Sequence, residues 1–142
     1  MSTASGRPRP RKSDHILLVD RCLAPEIAIE ISKMEGLYGI SLREHYGDDA
    51  AQQLADVTFL TEAGVRGWGV LTQNPRMWRV PQERAAIVDH HTRVFSLDDP
   101  SASKTLKGLV LGRHLLSIRR RLARRDACFR RLRLQAVRKE LP

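Results

Sequence analysis

His15-Ile16-Leu17-Leu18-Val19-Asp20 is a continuous apolar run closed by a carboxylate. Its shortness and lack of alternation are those of a strand buried on both faces, as in a parallel sheet. A second run, Trp68-Gly69-Val70-Leu71-Thr72-Gln73, ends at Asn74, and Pro75 breaks it. Working outward, Pro25 opens a helix expected over residues 26–35, with Ile27, Ile31 and Met34 at helical spacing and Gly36 as its stop. Residues 39–46 are expected as another strand, with Ile40 and Leu42 on one face. Asp49 then caps a helix expected to continue to Ala63 and end at Gly64. Pro81 starts a further helix at its first turn, and residues 93–97 form the last strand of the series. The order β-α-β-α-β-α-β-α predicts an α/β fold, a small parallel sheet of about four strands with helices on both faces.

A chain of 142 residues, 42% of them apolar, supports one domain with one core. No apolar stretch approaches the ~20 residues that cross a bilayer, so no membrane association is expected and a cytoplasmic location is the default. Residues 1–14 lack the apolar segment of a secretory signal and read as a disordered basic leader. The domain proper is expected over residues 15–100. Residues 101–142 form an Arg-rich amphipathic helical extension, packed on the domain or on a partner. Within it Leu111, Leu115, Ile118 and Leu122 make one stripe, continued by Phe129 and Leu132 after a break near Asp126. The only cysteines, Cys22 and Cys128, give neither a disulfide framework nor a metal-ligand spacing.

The net charge of +9 is unevenly spread, with about +11 carried by residues 101–142 and the middle of the chain acidic. An acidic body with basic extensions suits a polyanion that is held by one part and cut by another. Arg119, Arg120, Arg121, Arg124 and Arg125 are the residues expected to hold such a polyanion; a solvated or partner-facing basic helix explains the same charge.

Strand C-termini and neighbouring helix ends share a crevice in a parallel α/β sheet. Four polar residues fall at such positions: Asp20, Asp56, Asn74 and Glu83. Carboxylates gathered there repel one another unless a cation sits among them, which reads as a divalent-metal site. Each also has an ordinary explanation: Asp20 as a strand-end turn, Asp56 as a surface helix residue, Glu83 as a favourable acid in a first helical turn, Asn74 as a turn residue before proline. His90 and His91 diverge by ~100° on a helix and make no metal pair. Trp68 and Trp78 are expected to pack, and Thr72 either orients a water or a phosphate or is an ordinary strand residue.

Taken together, Leu17-Leu18-Val19-Asp20, Asp56-Val57-Thr58-Phe59-Leu60 with Ala63-Gly64, residues 67–74, and Pro81-Gln82-Glu83 resemble the PIN-domain ribonucleases. The resemblance is specifically to the small PIN-like toxins of VapBC-type toxin–antitoxin modules. It implies a Mg²⁺- or Mn²⁺-dependent endoribonuclease, with catalytic Asp20, Asp56 and Glu83 and a metal site of those three and Asn74. The implied partners are an RNA substrate and a cognate antitoxin, and a homodimer is compatible with it. The chain departs from the family in its third strand, where Thr72-Gln73-Asn74 stands in place of Thr-x-Asp. The alternatives are a non-catalytic RNA-binding module with a degenerate site, and a protein-interaction domain whose Arg-rich helix docks an acidic partner.

Overall fold

The computed structural model describes residues 7–98 and 102–133. Five strands, β1 (His15–Val19), β2 (Leu37–Ser41), β3 (Gly69–Thr72), β4 (Arg93–Leu97) and β5 (Cys128–Leu132), form one sheet in the order β2-β1-β3-β4-β5. Every pairing is parallel. The helices are α1 (Glu26–Ser32), α2 (Leu42–Tyr46), α3 (Asp48–Gln53), α4 (Asp56–Arg66), α5 (Pro81–Asp89), α6 (Lys104–Arg113) and α7 (Leu115–Leu122). They bury both sheet faces, which is why the strands carry near-continuous apolar runs. On one face Leu17, Val19, Leu71, Phe95 and Leu97 pack against α1, α6 and α7 through Ile27, Ile31, Leu111 and Ile118. On the other, Leu18, Val70 and Val94 meet Phe59 and Leu60 of α4 and Ile87 of α5.

Several expected boundaries move, each for a local reason. The second strand ends at Ser41, whose Oγ accepts the Glu44 N–H at 3.1 Å and so starts α2 where the apolar alternation continues the strand. The helix expected from Asp49 to Ala63 is broken at Leu54 and Ala55, both extended. Arg21 fixes the break by donating to the carbonyls of Ala51 and Leu54. The resulting α4 passes Gly64 and ends at Arg66, with Gly67 left-handed at φ 75° as its cap. Helix α1 stops at Ser32, three residues short of the expected end.

The C-terminal segment is not helical throughout. It bends at His114 between α6 and α7, and after Asp126 it becomes β5, the fifth strand. Cys128 and Leu132 of β5 enter the first core, while Phe129 turns to the other face and stacks on Trp78 at 5.8 Å. Residues 1–6 of the basic leader lie outside the described residues; of the rest, residues 8–13 are exposed, and the leader is tied to the domain at Arg7 and the Pro8 carbonyl. Arg7 donates to Ser32 Oγ at 2.6 Å and to the Gly39 carbonyl at 2.9 Å, and the Tyr38 hydroxyl donates to the Pro8 carbonyl at 2.6 Å. Arg7 covers the exposed β2 edge, where an unpaired carbonyl such as that of Gly39 needs a donor.

Candidate active site

The site is built where β1, β3 and β4 end. Register pairs Val19 with Leu71 and Thr72 with Ser96, and the Asp20 N–H extends the ladder to the Leu71 carbonyl at 2.9 Å. Asp20, Thr72 and Ser96 are therefore neighbours in one row. Strand alternation puts them on the face of Leu18, Val70 and Val94, the face covered by α4 and α5. All three are buried, Asp20 with only 5% of its surface exposed. Its carboxylate is held from two sides: Thr72 Oγ1 donates to Oδ2 at 2.8 Å, and the Arg21 N–H donates to Oδ1 at 2.7 Å.

Asp56 and Glu83 arrive from the helices. The break before α4 puts Asp56 in that helix's first turn, and Pro81 likewise puts Glu83 in the first turn of α5. Asp56 is raised above its ordinary carboxylate value by burial first and by the charge of Asp20 second, against a lowering pull from Arg21, whose guanidinium lies 3.6 Å away. Glu83 is raised by burial, then by Asp56 and Asp20. Its Oε1 is buried without a hydrogen-bond partner. The three carboxylates expected to act together thus come from three elements and feel one another's charge.

Asn74 is placed differently. Its side-chain oxygen accepts the Arg76 N–H at 3.1 Å and caps the 3-10 turn Pro75–Trp78, so its amide serves the turn. Among the described residues, no three His, Cys, Asp or Glu side chains close on one point as a ready-made ion cage. The donor set still fits a hard, hydrated cation, which keeps several waters and needs only one or two direct carboxylates. Asp20 is oriented for it, and the orphaned Glu83 oxygen has an acceptor to offer.

Three residues not singled out from the sequence also belong here, and a fourth lies at the same end of the sheet. Arg21 ties the Asp20 loop to the α3–α4 break and to Asp56. Cys22 lies with its Sγ 3.5 Å from Asp20 Oδ2 and 3.6 Å from Thr72 Oγ1, and burial raises its thiol above the ordinary value. Gln73 donates to the Cys22 carbonyl at 2.7 Å and accepts from Lys107 Nζ of α6 at 3.0 Å, closing the loop from the other face. Asp98, just after β4, is held by Arg131 at 2.9 Å and Arg133 at 3.6 Å. Each depends on partners far off in the chain, a relation that spacing does not encode.

The histidines and tryptophans weighed for a role are held by contacts of their own. His90 and His91 end α5, His91 with φ 56°. Trp68 packs on His45 and under Arg66, and Trp78 packs on Phe129. The arginines of residues 119–125 do not border the acids: Arg119 lies against Gly36 and Arg125 against Gly67, at the opposite, N-terminal ends of the strands.

The profile of the PIN-like domain family matches residues 16–99, more than half the chain and every element that carries the acids. The chain belongs to the PIN-like domain family. No curated protein and no solved structure matches it. PIN domains are in general nucleases that use divalent metals, so membership places this PIN-like domain, at that coarse level, with the hydrolases of nucleic acid. No helix among the described residues is long and apolar enough to cross a membrane.

Proposed function

We propose that the protein is a Mg²⁺- or Mn²⁺-dependent endoribonuclease and the toxin of a VapBC-type module, restrained by a cognate antitoxin. The observation that carries the nuclease reading is that Asp20, Asp56 and Glu83 lie within electrostatic reach of one another. Burial and mutual repulsion raise the last two, and one of their oxygens is orphaned. Such a set is unfavourable by itself and becomes favourable around a cation. When bound, a divalent ion supplies an activated water and stabilises charge on the attacked phosphate. The chain's own residues do the rest. Thr72 and the Arg21 N–H lock the Asp20 carboxylate in one orientation, and Arg21 holds Asp56 near it. The toxin role rests on the family resemblance of the motifs, and a cytoplasmic location goes with it.

The test is cleavage of single-stranded RNA by the wild type and by Asp20→Asn, with metal binding measured by calorimetry on the same proteins. Metal-dependent cleavage that disappears in a folded Asp20→Asn protein supports the reading, and unchanged cleavage removes the site. Expression with and without a neighbouring small gene, scored by growth, tests the toxin role. One observation favours a second reading: the Asn74 amide caps its own turn. A non-catalytic RNA-binding module would tolerate that, and it would bind RNA without cleaving it in any metal.

A further inference from the structure

The N-terminal ends of the strands form a second pole, and its chemistry is the reverse of the first. Arg93 opens β4 with only 1% of its surface exposed, and no carboxylate pairs with it among the described residues. It donates instead to the carbonyls of Gly67 at 2.8 Å, Leu122 at 3.2 Å, and Arg124. Its Nε has no partner. Around this buried cation stand more of the same sign. Arg125 and Arg93 are within electrostatic reach of each other, Arg93 and Arg119 both act on His15, and Arg121 acts with Arg93 on Cys128. Three carboxylates oppose them: Glu35, 3.9 Å from Arg119 and 87% exposed, Asp126, which faces Arg124 at 3.4 Å, and Asp14, which acts on His15 and lines the groove with Glu35.

Two guanidinium groups are seated by glycine. Gly36 and Gly67 both have positive φ, and a Cβ added there would come within 2.7 Å of Arg119 Nε or 2.5 Å of Arg125 Nη1. Arg119 lies below β2, Arg125 below β3 and Arg121 near the start of β5, so positive charge runs under the width of the sheet from α7 to the turn after it. Beside Gly36 the row continues into an open groove of about 570 Å³, to which the leader contributes Arg9 and Arg11.

We propose that this basic pole is an anchoring site for single-stranded RNA, binding phosphates several nucleotides away from the bond cut at the acidic pole. The inference rests on the nuclease reading for its choice of ligand. A row of seated guanidinium groups suits a repeating anion. A protein interface commonly centres on an apolar patch, whereas the exposed large hydrophobic side chains Ile29 of the groove, Val65 of α4 and Leu116 of α7 come from three separate helices. From Gly67 to Thr72 the two poles are separated by about 17 Å along β3, so one nucleotide cannot touch both.

The experiment measures fluorescence anisotropy of a labelled single-stranded RNA of about a dozen nucleotides. It is run across a salt series on the full chain carrying Asp20→Asn to prevent cleavage. Adding Arg119→Gln, Arg121→Gln and Arg125→Gln should reduce the slope of log affinity against log salt by about 2, at roughly 0.7 for each phosphate no longer neutralised. Lysine at the same three positions should restore the slope, which a folding defect would not allow. A labelled tetranucleotide, too short to gain from both poles, should show a smaller difference between the two proteins. An unchanged slope with the long RNA overturns the proposal. So does a triple-glutamine protein that keeps RNA affinity but loses affinity for polyglutamate, which would assign the pole to an acidic protein. If the wild type cleaves no RNA yet the slope still falls, the nuclease reading fails and the anchoring site stands.

Discussion

Asp20 is oriented by groups that do no chemistry themselves, and this makes Thr72 as testable as the acid. Removing the hydroxyl with Thr72→Val leaves a β-branched side chain of similar shape in a fully buried strand position. The carboxylate then keeps the Arg21 N–H and the weaker Cys22 thiol as donors. A partner of this kind, standing behind a metal-binding group, is worth roughly 10- to 100-fold in metal affinity or activity. Calorimetric Mn²⁺ titration of Thr72→Val should show that weakening, and an unaltered affinity would mean Asp20 needs no such support. Asn74 makes the complementary case. Aspartate caps a turn as well as asparagine, so Asn74→Asp should leave the fold intact while adding a negative charge two residues after Thr72, which holds Asp20. Cleavage and binding should then saturate at lower Mg²⁺, and an unchanged metal dependence would leave Asn74 as a turn residue alone. The titration of the site has a definite sign. Asp56 and Glu83 are raised from ordinary values of 3.8 and 4.5, so the folded chain binds protons that the unfolded chain has released. Their contribution to metal-free stability is full below those ordinary values and declines as pH rises through the raised ones. The stabilisation given by Mn²⁺ should therefore grow with pH over that window, and Glu83→Gln should flatten the trend in thermal melts. Glu62 behaves oppositely. Hydrogen bonds, first from Tyr46 and then from His45 and Arg66, hold it down at about 2, so its contribution is present above 4.5 and lost as pH falls toward 2.

At the scale of elements, helix α4 shows how a local rule can reverse. Glycine inside a helix ordinarily destabilises it by about 1 kcal/mol relative to alanine, so Gly64→Ala would be expected to help. Here the helix lies so close to the end of α5 that a Cβ would stand 2.5 Å from the His90 carbonyl oxygen. The substitution should therefore destabilise, by about 1–3 kcal/mol for forced overpacking, read as a lower urea midpoint at unchanged slope. The same elements show which parts of the fold were legible in the sequence. The strands at residues 15–20 and 68–74 stand out because a buried parallel strand is continuously apolar, and Asp20 stands out as the charge that ends one. The start of α2 was also written, as Ser41-Leu42-Arg43-Glu44, yet Ile40 and Leu42 bracket it with an alternation that mimics a longer strand. The break before α4 was not readable, because Arg21 imposes it from more than 30 positions away. Strand β5 was hidden by Arg130 and Arg131, which interrupt its apolar pattern. The helical stripe of α7 hides it further, since by spacing alone Phe129 and Leu132 prolong that stripe. The charge asymmetry was plain in the composition, but composition does not say which end of the sheet receives it.

For the whole molecule, the question is whether the C-terminal segment is an appendage or a structural part. As an appendage it would be dispensable to the fold. The sheet argues otherwise. β5 pairs with β4 along its whole length, from Arg93 with Cys128 to Leu97 with Leu132. Leu132 is 3% exposed within the first core, and Phe129 covers Trp78 on the other face. Arg131 and Arg133 hold Asp98, and the carbonyls of Leu122 and Arg124 hold the buried Arg93. A chain ending at Asp126 would have no β5, leaving the β4 edge unpaired and both cores open. Burying one Leu or Phe is worth roughly 1.5–3 kcal/mol, and the missing strand pairing and opened cores add to that. A domain of this size has about 5–15 kcal/mol in all. The truncated protein should therefore lose most of its stability and show a broad urea transition or none. A chain ending at Arg133 keeps the whole of β5 and is the proper reference. If the chain ending at Asp126 unfolds as cooperatively as that reference, at the same urea concentration, β5 is an addition to a self-sufficient four-stranded domain. If it collapses, the strand that completes the sheet is the one that directly follows the basic pole in the chain. Removing the basic pole by deletion would then confound RNA binding with folding, and side-chain substitutions at Arg119, Arg121 and Arg125 become the only sound way to separate them.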